Sequence, residues 1–159
     1  ENEDVFMTLA QNSLFEIENH GAEHRPLSVT GRSAYGIDGT QNVREVIDEV
    51  RSCGDKIYQL TGRRPGYFRS GTNYYDEIAV SIVKELGAEA VGYSLLGDAG
   101  ATYSAAQIKK ACLNAKPGSI IIFHMNHPEK ETAEGIRKAV PALRAKGFRF
   151  VRLGDYPLK

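Results

Sequence analysis

Four histidines, His20, His24, His124 and His127, each lie just past an apolar run of the chain. Neutral imidazole is the commonest protein ligand for zinc and similar ions, and near neutral pH it also serves as a general acid or base. His20 and His24 stand four apart in Leu14-Phe-Glu-Ile-Glu-Asn-His-Gly-Ala-Glu-His-Arg-Pro-Leu-Ser28. A catalytic zinc site takes roughly three protein ligands and keeps one position open, so this pair would need a carboxylate partner. Glu18 and Glu23 are near in sequence, but Glu18 alternates with apolar residues and Glu23 suits solvent equally well. The structural alternative is a pair of loop histidines bonded to backbone. His124 ends the run Ser119-Ile-Ile-Ile-Phe123, where a ring pointing off a sheet end could act as a general acid or merely bond a neighbouring loop. His127 precedes Pro128 and reads as a turn residue.

Other candidates are single residues. Asp98 lies between Gly97 and Ala99, where an aspartate either caps a turn or accepts a hydrogen bond from an imidazole and orients it. Arg69, beside Tyr67 and Phe68, could hold a carboxylate bidentately. Tyr74 and Tyr75 offer either stacking faces for a sugar or plain packing.

These groups need elements to position them. Residues 3–11 read as a short helix with Val5, Phe6 and Leu9 on one face, and residues 14–19 as a strand ahead of the histidine loop. A long helix over 40–61 follows, with an apolar stripe from Val43 to Leu60 and Gly62 as its stop. Tyr67-Phe68 begins a short strand, and 75–86 is a helix burying Ile78, Ile82, Val83 and Leu86. Residues 88–94 form a strand leading into a loop at 95–100, and Ser104 with Gln107 opens a helix to about Asn114. Strand 119–124, helix 131–146 (Ile136, Val140 and Leu143 inward) and strand 148–153 complete the chain. Alternating strands and crossover-length helices define an α/β class with a parallel sheet. About five strands are too few to close an eight-stranded barrel.

At 159 residues the chain is most simply a single domain, 1–159. Lys+Arg and Asp+Glu balance at 20 each, so charge offers no case for nucleic acid or an anionic membrane as partner. No apolar run approaches the ~20 residues of a membrane span. Cys53 and Cys112 fall inside helical patterns and read as two unpaired, half-buried thiols.

The strand-end residues together resemble the polysaccharide deacetylases (NodB homology, carbohydrate esterase family four) from about Leu14 to Leu153. His20-Gly-Ala-Glu-His24 with Arg25-Pro26 is similar to the family's H-x-x-x-H metal motif, and Tyr67-Phe-Arg69 to its arginine motif, with Ser70-Gly71 where prolines usually follow. Gly97-Asp98 resembles the aspartate motif and Ile122-Phe-His124 the final leucine-x-histidine motif. Two features depart from the pattern: the chain has no Trp, and no Asp-Asp pair occurs anywhere. The family opens with a strand bearing two such aspartates, one a metal ligand and one the catalytic base. The resemblance therefore implies a distorted (β/α) barrel of the polysaccharide deacetylase type, incomplete at its N-terminus. The segment expected ahead of residue 1, or another chain, would then cover strand 14–19.

By the resemblance, the reaction is metal-dependent removal of N-acetyl groups from amino-sugar polymers such as peptidoglycan, chitin-like or poly-N-acetylglucosamine substrates. His20 and His24 would bind a divalent metal, zinc first, with cobalt, nickel or iron as alternatives. Arg69 would position the base, and His124, oriented by Asp98, would protonate the departing amine. The family implies a carbohydrate polymer as partner and a periplasmic or extracellular location. Two alternatives stand beside this reading: an inactive carbohydrate-binding domain of the same fold, and a related hydrolase of a non-sugar amide.

Overall fold

A computed structural model describes residues 2–158. They pack as two compact units, one formed by the residues up to Val91 together with those from Arg152 onward, the other running from Gly92 to Val151.

In the first unit, α1 (Glu3–Gln11) places acids in its first turn, where the helix dipole favours them, and buries none of its side chains. α2 (Val43–Thr61) starts with its apolar stripe at Val43 and not at residue 40 as expected, because the Asn42 side chain accepts the Glu45 N–H and caps it there. It stops at Gly62, whose φ of 71° lies in the left-handed region open to a residue without Cβ. β1 (Tyr67–Phe68) and β2 (Glu89–Ala90) pair in parallel, with Tyr67 opposite Glu89. Between them runs α3 (Glu77–Glu85), capped by Asp76. Asp76 Oδ1 accepts the Ala79 N–H at 2.7 Å, and its Oδ2 accepts the Val29 N–H at 2.7 Å. One side chain thus begins a helix and anchors the loop that follows the histidines. Leu27, Val46, Val50, Phe68, Ala79 and Val83 form the core of this unit.

In the second unit, β3 (Leu95–Leu96) and β4 (Ile121–Ile122) also pair in parallel, with Leu95 opposite Ile121. α4 (Ala105–Cys112) crosses between them, and α5 (Thr132–Ala145) follows. Ser104 and Gln107 make the reciprocal capping box at the start of α4. α5 packs on α4 at Gly135, where an added Cβ would come within 2.5 Å of Ile108 Cβ. Ile108, Cys112, Ala139 and Leu143 make this core.

The predicted strands are where the structure departs from the sequence reading. Residues 14–19 form no strand: only Asn19 pairs, in a single bridge with Phe68, while Leu14 is 80% and Phe15 46% exposed. Residues 148–153 form none either, leaving Phe150 and Val151 exposed before a 3-10 turn at Leu153–Asp155. Alternating apolar residues make a strand only where a neighbour takes up the backbone N–H and C=O groups, and neither stretch has such a ladder among the described residues. The predicted strand 88–94 ends at Ala90, and Leu95–Leu96, read from sequence as loop, is a strand of its own. Ile78, expected in the core, is exposed, while Ala79 and Val83 are buried. On α5 the buried line is Gly135, Ala139 and Leu143, with Ile136 and Val140 only half-buried. Both cysteines are free thiols; Cys112 is buried, and burial pushes its thiol up. No helix among the described residues is long and apolar enough to cross a membrane.

Candidate active site

The loop bearing His20 and His24 is held from its first residue. Asn19 is buried and commits all its polar groups. Its N–H reaches the Tyr67 carbonyl (3.2 Å) and its carbonyl accepts the Arg69 N–H (3.0 Å). Its Nδ2 donates to the Val50 carbonyl (2.7 Å), and its Oδ1 accepts the Gly21 N–H (2.9 Å). His20 Nδ1 lies 2.7 Å from the Arg69 carbonyl oxygen. A carbonyl only accepts, so Nδ1 carries a proton, which in the neutral ring leaves the lone pair on Nε2, the tautomer of a ligating histidine. His24 meets the His20 ring edge-on, with ring centroids 5.1 Å apart at 84°. Its backbone sits at φ 60°, in the left-handed region that a residue with a Cβ occupies at a cost of about 1–2 kcal/mol. Gly71 lies against it, and a Cβ there would fall on the His24 ring and carbonyl.

Arg69 thus bears on His20 through its main chain. The neighbouring Tyr75 hydroxyl accepts the Ser70 N–H (2.8 Å) and donates to the Val91 carbonyl (3.1 Å). Burial pushes this phenol up, against the opposing influence of the Ser70 bond and the Arg69 charge. Tyr75 therefore serves this loop and the core, while Tyr74 lies under the Arg32 guanidinium, 5.4 Å from its ring centroid.

Neither nearby glutamate joins the histidines as a third ligand. Glu18 turns its carboxylate to the Tyr67 N–H at 2.7 Å, and burial pushes it up. Glu23 is exposed and approaches Arg25 at 3.8 Å. Among the described residues, no three His, Cys, Asp or Glu side chains converge so as to hold a metal ion. The two imidazoles are donors of the right kind, but fewer than the roughly three protein ligands a catalytic zinc site takes.

The second unit brings Asp98 and His124 together. β3 and β4 are parallel neighbours, so residues just past their ends come side by side. Asp98 is completely buried, its Oδ1 2.7 Å from His124 Nδ1. Its Oδ2 accepts the His124 N–H at 2.7 Å and the Thr132 hydroxyl at 3.0 Å. Burial pushes the carboxyl up, but the bonds from the His124 ring and amide and from Thr132, with the His124 charge, outweigh it and hold Asp98 below the usual carboxylate range. Beyond it, Ala99, Gly100 and Ala101 form a left-handed turn, from which the Thr102 and Tyr103 N–H groups return to the Asp98 carbonyl. His127 sits 3.3 Å from Glu129 on an exposed turn.

Thr132, and Glu49 of α2, whose carboxylate accepts the Glu23 and Arg25 N–H groups of the histidine loop, escaped the sequence reading. Thr132, the first residue of α5, carries no local signal of its bond to Asp98. Glu49 does: it is an acid on the buried stripe of α2 beside Val46 and Val50.

The family model of the polysaccharide deacetylases matches residues 1–91. The chain belongs to that family. Solved structures of the family share its fold. A peptidoglycan N-acetylglucosamine deacetylase superposes with a TM-score of 0.83 at 22% identity, over 97% of this chain and 68% of that one. A family 4 acetyl xylan esterase from Clostridium thermocellum, in complex with a cobalt ion, gives 0.79 at 20% identity, over 97% and 69%. A family 4 pseudoenzyme from Bacillus anthracis gives 0.78 at 15% identity, over 97% of this chain and 50% of its own. The chain therefore spans about two thirds of the first two and half of the last. The fold is the polysaccharide deacetylase type of distorted (β/α) barrel, of which these residues form part. No curated protein matches the sequence.

Proposed function

We propose that this chain belongs to a metal-dependent hydrolase removing N-acetyl groups from amino-sugar polymers outside the cytoplasm. The observation that carries the reading is the buried Asp98 carboxylate 2.7 Å from His124 Nδ1 in a member of this family. Two side-chain ligands, His20 through Nε2 and His24, would hold a divalent ion, with a carboxylate from beyond the described residues as the third. Such an ion supplies a polarised acetyl carbonyl and a water of lowered pKa. The Arg69 carbonyl keeps His20 in the ligating tautomer, and the Arg69 guanidinium would position a carboxylate acting as base. His124, with its Nδ1 proton held by Asp98, delivers the Nε2 proton to the departing amine. Asp98 stays ionised throughout, consistent with its lowered pKa.

Peptidoglycan, chitin-like oligosaccharides and poly-N-acetylglucosamine are the substrates to test, the first supported by the neighbour named for it. A second reading, a carbohydrate-binding domain without turnover, is favoured by the missing third donor among the described residues. The full-length protein, supplied with zinc or cobalt and each polymer in turn, separates the two by acetate release. The hydrolase reading expects acetate from at least one polymer, and its loss in His124→Ala and in His20→Ala. Polymer binding with no acetate under any of these conditions would overturn it in favour of the binding domain.

A further inference from the structure

Glu49 lies on α2 with only 3% of its surface exposed, although a buried carboxylate is costly unless it is well bonded. Its partners are loop amides. Oε1 accepts the Glu23 and Arg25 N–H groups at 3.2 Å each, and Oε2 accepts the Glu23 N–H at 3.0 Å. The Glu49 carbonyl accepts the Ala22 N–H at 3.1 Å. The carboxylate therefore binds the amide on either side of His24, the residue held at φ 60°. From the other side, the backbone of Gly71 closes on the His24 ring and carbonyl without room for a Cβ. At residue 21 a Cβ would fall on Glu49 Oε1, so the position after His20 admits only glycine while the carboxylate stays in place.

We infer that Glu49 is a positioning residue, whose carboxylate clamps the amides flanking His24, keeps that residue left-handed and so aims the histidine pair. Bonds from N–H to a carboxylate are stronger than those between neutral groups, enough to offset the cost of the left-handed backbone. An apolar residue at 49 would suit the α2 stripe but would leave the Glu23 and Arg25 amides without their acceptor. The purpose of the aim rests on the hydrolase reading; the clamp itself does not.

Glu49→Ala and Glu49→Gln in the isotopically labelled full-length protein test it, read by the His24 backbone carbon shifts, which report φ, and by cobalt(II) titration. Val83→Ala, in the core of the same unit, serves as the control for lost stability alone. In Glu49→Ala the His24 shifts should leave left-handed values, and cobalt(II) affinity should fall roughly ten- to hundredfold. Glu49→Gln keeps one acceptor oxygen and should fall between, while Val83→Ala should move neither readout. If Glu49→Ala does not fold, Glu49→Gln decides. Unchanged His24 shifts in the folded variants would overturn the inference, even if cobalt(II) binds. If the unsubstituted protein binds no cobalt(II) while the shifts move on substitution, the clamp stands and the hydrolase reading falls.

Discussion

The two histidine stations of this chain are built on opposite plans. In the second unit the His124 ring is gripped directly by a buried side-chain carboxylate, itself bonded to the His124 amide and to Thr132. In the first unit the pair is held largely through main-chain groups. His20 is steered by a main-chain carbonyl, and His24 is fixed through the amides of its neighbours by Glu49. The contrast matches the two jobs proposed for these imidazoles. A ring that carries a proton through a reaction benefits from a formal negative charge at its other nitrogen. A ring that offers a lone pair to an ion needs its orientation and tautomer fixed, which a neutral carbonyl does.

The sharpest way to break the comparison is at the charged station. Asp98→Asn and His124→Ala should each lower acetate release by roughly 10²- to 10⁴-fold while leaving the His20 and His24 ring signals in NMR spectra unchanged. Full activity in Asp98→Asn would show that the charge beside His124 is not what matters. Next in size is Gly71→Ala, whose Cβ would meet His24. It should cost about 1–3 kcal/mol in denaturant unfolding and shift His24 but not His124. Thr132→Val removes one of the donors that hold Asp98 ionised and should cost about 1–2 kcal/mol.

The same carboxylate gives a pH signature. Because folding lowers the Asp98 pKa, its contribution to stability is complete above the unfolded value of about 4 and is lost as pH falls through the lower folded value. The stability difference between the unsubstituted protein and Asp98→Asn should therefore shrink on acidification, as measured by urea unfolding from neutral pH to about pH 3. The smallest effect sharpens the other side. Arg69→Ala should leave the His20 tautomer as it is, since Nδ1 donates to the main-chain carbonyl, and nitrogen shifts of the ring would register any change.

Much of this was legible along the chain where the physics is local. Ser104 with Gln107, and Gly62, mark helix ends because caps act within a turn, and α2 and α4 end or begin where those signals stand, whereas the Asn42 cap that starts α2 went unread. The strands were not, because Phe15 and Phe150 alternate as strand residues do and yet have no ladder among the described residues. At the candidate site, the resemblance linked Asp98 with His124. Glu49 was visible as an acid on an apolar stripe, but nothing near it in sequence named its partners.

What the sequence determined by itself is therefore the set of helices and the placing of imidazoles beyond apolar runs, since capping and helical period work over a few neighbouring residues. The tertiary structure alone decided which His20 nitrogen keeps its proton, which acid meets His124 and which acid clamps the loop. Those choices are hydrogen bonds between residues 49, 26 and 24 positions apart, as in His20 with Arg69, His124 with Asp98 and Arg25 with Glu49. Groups so distant along the chain are brought together by the packing of the cores around Val46 and Ile108.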